Sequence, residues 1–480
     1  MAKVDSYFLR SSAATLFALA LGGCSLAPPL ALPEIAAGPE YKEQAPWTAA
    51  QPADRLPREA WWSLYHDAEL DRLQQQLLRN SPDLAAALAR FEQARAYGAQ
   101  QHAGLFPSLG LSGDAARERQ SETRPPAGSS APRFFESYSL GLQAGYEIDL
   151  WGRVRNSVAA GDHATAAAAA DLESARLSLQ AQLADAYIVL RGLDQEGALL
   201  ADTVQAYDKA VALTQKRRDA GISSGLDVAR ARTQLDTARS QLAQNQARRA
   251  VAEHAVAALV GLTPAEFSLT PATAAIALPA IPLDLPSTLL QRRPDIAAAQ
   301  RRVAAANAGV GVARAAWFPS LSLSASYGYQ SNQAGGWLSA PNAAWALGPG
   351  LLLELFDAGR RRAQVEQARA ALDQAGAEYR GIVLAAFQQV EDNLALLQHY
   401  RSAAEAEQSA LASAQRSLEF ATTRYREGAV SYLEVVQSQT TALTAQRAAL
   451  DLDTRQLRAS VALVRALGGG WQNDADLAVR

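Results

Sequence analysis

Residues 424–440 read RYREGAVSYLEVVQSQT, and a single glycine, Gly428, separates two long alanine-rich helical patterns there. A near copy, RRDAGISSGLDVARART, fills residues 217–233, with Gly221 lying 207 positions before Gly428. Glycine tolerates the left-handed backbone that ends a helix, so each copy predicts a tight turn between antiparallel helices. The flanking patterns run from about 156 to 219, from the turn to about 260, from 360 to about 426, and on to Leu467. Their alanine, leucine, glutamine, glutamate and arginine are strong helix formers. A helix over 156–219 would be on the order of 90–100 Å long, more than an ordinary globular domain needs. The same hairpin tip built twice predicts two halves of one tube.

Working outward, the duplication extends along most of the chain. Ser81-Pro-Asp-Leu-Ala-Ala-Ala87 recurs as Arg293-Pro-Asp-Ile-Ala-Ala-Ala299, and Phe106-Pro-Ser-Leu109 as Phe318-Pro-Ser-Leu321. Gly152-Arg153 recurs as Gly359-Arg360. After each Phe-Pro-Ser-Leu the period falls to two, the mark of strands with unlike faces. Leu109 and Leu111 begin the first. Leu140, Leu142, Ala144, Tyr146, Ile148 and Leu150 share one face of the second, opposite Ser139, Gly141, Gln143, Gly145, Glu147 and Asp149. In the second half Leu321, Leu323, Ala325, Tyr327 and Tyr329 oppose serines and Gly328, and a returning strand carries Trp345, Leu347, Leu351, Leu353 and Leu355. Strands of about ten residues can cross a bilayer when tilted. Four strands cannot close a barrel, and an open edge in lipid leaves backbone groups unpaired. Either these strands lie outside the membrane, or the chain oligomerises. The outward aromatics Tyr146, Tyr327 and Trp345 and the export signal favour the second.

The N-terminus carries that signal. Lys3 and Arg10 precede an apolar run over 13–21, too short to span a membrane as a helix, and LGGC follows. Small residues before Cys24 resemble a bacterial lipobox, which implies cleavage before Cys24 and lipidation of it. Ser25 is not the aspartate that often retains lipoproteins in the inner membrane. Prolines 28, 29, 33, 39, 46, 52 and 57 then predict an extended segment rather than core. Leu70, Leu73 and Leu77 repeat at helical spacing behind Trp61-Trp62. The last helix places Val436, Leu443, Leu450, Leu457 and Val464 seven apart, a coiled-packing signal. Its first-half partner places Val228, Leu235, Leu242 and Val256 in the same way, with Arg249 breaking the row.

Composition narrows function. The net charge is −3 and lysine is nearly absent, so no basic field recruits nucleic acid. The pairs Arg292-Arg293 and Arg301-Arg302 read as solvated helix faces. One cysteine excludes an internal disulfide. The five histidines, at 66, 102, 163, 254 and 399, lack metal-ligand spacing. No GxxxxGK[ST] loop is present, no acid/base or nucleophile constellation suggests an enzyme, and no cofactor is implied. Gly468 to Gly470 reads as a helix stop.

The duplicated layout resembles the outer-membrane efflux factors, the TolC-like family, and most its lipoprotein branch serving RND-type pumps. The resemblance rests on Trp61-Trp62, the two Phe-Pro-Ser-Leu motifs, Asp149-Leu-Trp-Gly-Arg153, Tyr432-Leu-Glu-Val435 and Leu467-Gly-Gly-Gly-Trp471, and covers about 55–471. It implies a mainly α fold with transmembrane β-structure. Three chains would form a twelve-strand outer-membrane β-barrel continuous with a long periplasmic α-helical barrel. The expected divisions are a signal peptide (1–23), a lipid-anchored Pro-rich segment (24–60), a first repeat (61–263), a belt connector (264–290), a second repeat (291–471) and a tail (472–480). Residues 117–137 and 330–344 would be extracellular loops.

By that resemblance the chain is a passive exit duct for small toxic compounds. It would dock on a periplasmic membrane-fusion adaptor and an inner-membrane RND-type pump, in contact with outer-membrane lipid. The docking tips would be Gly221, Ile222, Ser223, Ser224 and Gly225, with Gly428, Ala429, Val430, Ser431 and Tyr432. Leu433, Gln437 and Thr440 would line the aperture. Many relatives carry Asp and Arg where this chain has Gln437 and Thr440, so closure here would rest on Leu433 packing and neutral hydrogen bonds. Two other readings stay open: a duct for type I protein secretion, and a lipid-anchored structural coiled coil without a pore. The lipobox leans against the first, the serine-lined strands against the second.

Overall fold

The computed structural model describes residues 25–34, 41–42, 60–119, 134–281 and 292–469. The signal peptide, Cys24, the tail and much of the first long loop lie outside these residues. The chain forms two compact units. One is built from Phe91–Ala168 and Ala299–Tyr379 with the described residues up to Pro33, the other from Ala169–Ala298, Arg380–Arg480 and the preceding stretch to Arg90.

The first unit holds a four-stranded antiparallel sheet in simple order, β1 (Ser108–Arg119), β2 (Phe134–Ile148), β3 (Ser320–Ser331) and β4 (Ala343–Leu352). Its register puts the expected residues on one face. Leu111 pairs with Leu142, Leu142 with Tyr327, and Tyr327 with Trp345. This apolar face is bare: Leu111, Trp345 and Leu351 are each at least 70% exposed. On the other face serine hydroxyls turn back onto the ladder, as from Ser322 Oγ to the Gly350 carbonyl at 3.4 Å. Gly141 faces Gly328 across the β2–β3 pair, where a Cβ on Gly328 would lie 2.3 Å from the Leu140 carbonyl oxygen. The returning strand stops at Leu352, short of the expected Leu353 and Leu355. β3 begins at Ser320, opposite Leu352, so nothing remains for later residues to pair with.

Helices flank the sheet in sequence. They are α1 (Ala68–Asn80), α2 (Pro82–Ala103), α3 (Arg153–Asp219), α4 (Gly225–Leu259), α5 (Pro294–Ala315), α6 (Arg360–Arg426) and α7 (Tyr432–Ala466). α3 starts at Arg153, earlier than expected, because the Asp149 carboxylate accepts from the Arg155 backbone N–H at 2.8 Å. Residues 25–30 lie along α3 and α5. Ser25 Oγ donates to Asn156 Oδ1 at 2.9 Å, and Asn307 Nδ2 donates to the Pro28 carbonyl at 2.9 Å.

The core of the second unit gathers around α1 and the 3₁₀ turn Trp61–Tyr65. Leu70, Leu73 and Leu77 are wholly buried, as the helical spacing requires, and burying each contributes about 1.5–3 kcal/mol. Trp61 Nε1 donates to Gln180 Oε1 at 3.3 Å, and the Tyr65 and Ser460 hydroxyls are 2.7 Å apart. Arg293 corrects the solvated-face reading. It is 7% exposed, paired with Asp295, and donates to Gln389 Oε1 and to the Ala466 carbonyl at the end of α7. A guanidinium that satisfies orphan helix-end carbonyls is stable without water. α7 then ends as expected: the Gly469 N–H donates to the Val464 carbonyl at 3.0 Å.

Candidate functional site: the paired hairpin tips

Both turns end their helices by the same device. The Ile222 N–H donates to the Arg217 carbonyl and the Ala429 N–H to the Arg424 carbonyl, each at 2.8 Å. Gly221 and Gly428 occupy the left-handed position between, at φ +75° and +79°. This is the Schellman closure, in which a side chain at the glycine would be strained.

The twins differ at the next helix. Ser224 forms a capping box with Asp227: its hydroxyl accepts from the Asp227 N–H, and the carboxylate accepts from the Ser224 N–H, both at 3.2 Å. Burial pushes the Asp227 carboxyl up, but hydrogen bonds from Ser224 and Ser223 and the charge of Arg230 outweigh it and hold it below the usual range. Ser431, in the equivalent place, makes no side-chain cap bond. α7 therefore starts with less local restraint than α4.

The two tips pack on each other. Ala231 of α4, Ala421 and Tyr425 of α6, and Tyr432 and Val435 of α7 form one buried cluster, with Val211 of α3 and Val430 against it. The Tyr425 and Tyr432 rings lie 5.2 Å apart, and the Arg217 guanidinium sits 4.9 Å above Tyr425. Burial, with Tyr425 adjoining, pushes the Tyr432 phenol up to about 12. Tyr432 is 3% exposed, so its ring is core rather than outer surface. The sequence contained no signal for the Arg217–Tyr425 contact, because the two lie in different repeats.

Of the other residues singled out, Ile222 is 66% and Leu433 39% exposed. Gln437 and Thr440 are exposed on α7, and Gln234 of α4 donates to Thr440 Oγ1 at 3.4 Å, a neutral contact between hairpins. Gly221, Ser224, Gly225, Gly428, Ala429 and Ser431 are exposed, while Ser223 and Val430 are half-buried. A shallow cleft between α6 and α7 holds Phe420, Arg424, Glu434 and Gln437. Among the described residues no group of histidines, cysteines and carboxylates could hold a metal.

The profile described as outer membrane efflux protein matches residues 73–262 and 285–469, one stretch in each repeat. The outer membrane protein OprJ of Pseudomonas aeruginosa is 34% identical over 472 residues, covering 97% of each chain. The probable efflux pump outer membrane protein TtgC of Pseudomonas putida is 33% identical over 465 residues, covering 96% of each. The solved structure of the outer-membrane channel OprN superposes with a TM-score of 0.86 at 32% identity, covering 94% of this chain and 100% of that one. A duplicated chain with this sheet and these twin tips, matched along nearly its full length, belongs to the outer membrane efflux protein family.

Proposed function

We propose that the chain is the outer-membrane duct of a tripartite efflux pump, through which small toxic compounds driven by an inner-membrane RND-type transporter leave the cell. The observation that carries this reading is the sheet. Its bare apolar face suits lipid, its serine face suits a wet lumen, and among the described residues its outer strands β1 and β4 each keep an unpaired edge. Open edges in a membrane cost several kcal/mol per unpaired group, so copies must join β4 to β1 until the sheet closes. Three copies give twelve strands, enough for an aqueous barrel. The half-exposed Leu443, Leu450 and Leu457 of α7 would be covered in the same assembly, as coiled packing requires.

The tips would face the periplasm. Ile222, Gly221, Gly225, Gly428 and Ala429 offer small or apolar surface to a membrane-fusion adaptor, with Ser223, Ser224, Val430, Ser431 and the Tyr432 backbone beside them. Leu433 would narrow the aperture, with the neutral Gln437 and Thr440 above it. A lipid on Cys24 would tether the chain beside the start of α3, since Ser25 donates to Asn156 Oδ1 in the first turn of that helix. Deleting the gene and measuring intracellular accumulation of a panel of toxicants tests the reading. Accumulation should rise several-fold and fall again on complementation; unchanged accumulation across the panel contradicts it.

A further inference from the structure

Three hairpin helices converge on the Glu196 carboxylate of α3. Its Oε1 accepts from Arg447 of α7, with Nε at 2.8 Å and a terminal nitrogen at 2.6 Å. Its Oε2 accepts from Asn245 of α4 at 2.9 Å and from Arg248 of α4 at 3.1 Å. The Glu196 side chain is 14% exposed and Asn245 is 1% exposed. Two glycines of α3 let the partners come this close. A Cβ on Gly197 would lie 2.9 Å from Asn245 Oδ1, and one on Gly192 would lie 2.5 Å from Thr454 Oγ1 of α7.

The surroundings make these bonds decisive. α4 and α7 stand apart here across a cleft of about 860 Å³, with Leu193, Val251 and Leu450 on its walls. Apolar packing therefore does not join α4 to α7 at this level, and the hydrogen bonds of Glu196 do. Nearer the tip no carboxylate bridges the hairpins among the described residues: they meet through Tyr425 and Tyr432, the Arg217 guanidinium over Tyr425, and the Gln234–Thr440 pair. The next cross-tie, Arg458 to Asp185 at 2.7 Å, has both side chains more than a third exposed and so contributes little.

We propose that Glu196 is a positioning residue for the closed aperture, a latch holding α7 to α3 and α4 that must release before the tips part. The inference rests on the conduit reading. This chain, with the neutral Gln437 and Thr440 on α7 near the tip, would hold that tip through Glu196. The Glu196 side chain is 14% exposed, whereas Arg447 is 34% and Arg248 53% exposed, so salt screens the Arg248 arm more than the Arg447 and Asn245 arms.

The test is single-channel conductance of purified full-length protein in planar bilayers, for wild type, E196Q, and E196Q carrying G192C and T454C. The Cβ positions of the cysteine pair would be about 3.4 Å apart, close to disulfide spacing, and Cys24 is the only native cysteine. E196Q should conduct several-fold more than wild type. Oxidising the cysteine variant should return conductance to the wild-type level, and dithiothreitol should restore the increase. In cells, the cysteine pair in the otherwise native chain should abolish toxicant efflux when oxidised and restore it when reduced, independently of how E196Q assembles. E196Q conducting like wild type, or efflux indifferent to oxidation, overturns the latch. Wild-type protein that neither conducts nor supports efflux overturns the conduit reading itself.

Discussion

The guanidinium of Arg249 lies 2.7 Å from the carboxylate of Asp194, a side chain no solvent reaches. Arg191 approaches the same carboxylate at 2.9 Å, and the Ala272 N–H at 3.1 Å. Arg249 also donates to the Leu269 carbonyl, and Glu253 accepts from the Leu269 N–H. The segment after α4 is thus pinned to α3 and α4 by buried charge. Removing one partner of such a set leaves charge uncompensated, which costs about 3–5 kcal/mol. Asp194→Asn should lower the thermal midpoint accordingly and open the 267–281 segment to protease; a midpoint within error of wild type contradicts this role.

The unequal caps of the twin tips predict unequal mutants. Ser224→Ala removes a working cap and should destabilise its hairpin by about 1 kcal/mol. Ser431→Ala removes a hydroxyl that makes no cap bond and should be nearly silent. Hydrogen exchange of the amides in the first turns of α4 and α7 reads the difference. Equal protection losses in both variants would contradict the asymmetry.

Gly328 and Gly348 lie in the same sheet but meet different surroundings. A methyl at Gly328 strikes the Leu140 carbonyl, whereas at Gly348 nothing lies within 4 Å. Gly328→Ala should therefore block assembly in the outer membrane, and Gly348→Ala should assemble normally. Heat-modifiable migration of the membrane fraction distinguishes them.

Glu196 also predicts a pH response. Burial pushes its carboxyl up, but hydrogen bonds from Arg447 and Asn245 and the charges of Arg248 and Arg447 outweigh this and hold it below the ordinary range. A depressed native value gives stability that is present above the unfolded value and lost as pH falls through the native one. Arginines and an asparagine of α4 and α7 are bonded to Glu196, and Asp451 and Arg458 of α7 line the same cleft. The difference in thermal midpoint between wild type and E196Q should hold from roughly pH 8 to pH 5 and be lost only as pH falls below the ordinary glutamate range and through the depressed native value. A difference already lost near neutrality would mean that another group sets it.

Much of this architecture was legible along the chain. Gly221 and Gly428 marked the turns because few other residues suit that backbone. The alternation around Leu142 and Tyr327 fixed which side chains share a face, and the seven-residue spacing marked helices that pack lengthwise. Periodicity fell short where a side chain's partner comes from the other repeat. Arg293 read as solvated because its acceptors, Gln389 and the Ala466 carbonyl, are distant in sequence. Arg249 read only as a flaw in a heptad row until Asp194 appeared opposite it. Asn245 did leave a signal: with Ala231, Ala238 and Ala252 it makes a second row spaced by seven, in which it is the polar member, and such a residue in an apolar row marks a specific partner. Tyr432 sits in a turn motif, yet its ring belongs to the core formed by both hairpins.

The central claim is a conduit narrowed at its tips by Leu433. Conductance of purified wild type and Leu433→Ala in planar bilayers tests it most directly. Leu433 is 39% exposed, so its truncation should leave the fold intact. Wild type should show small, steady channels, and Leu433→Ala channels of several-fold higher conductance. Wild-type protein without channels, or a mutant indistinguishable from it, would contradict the account.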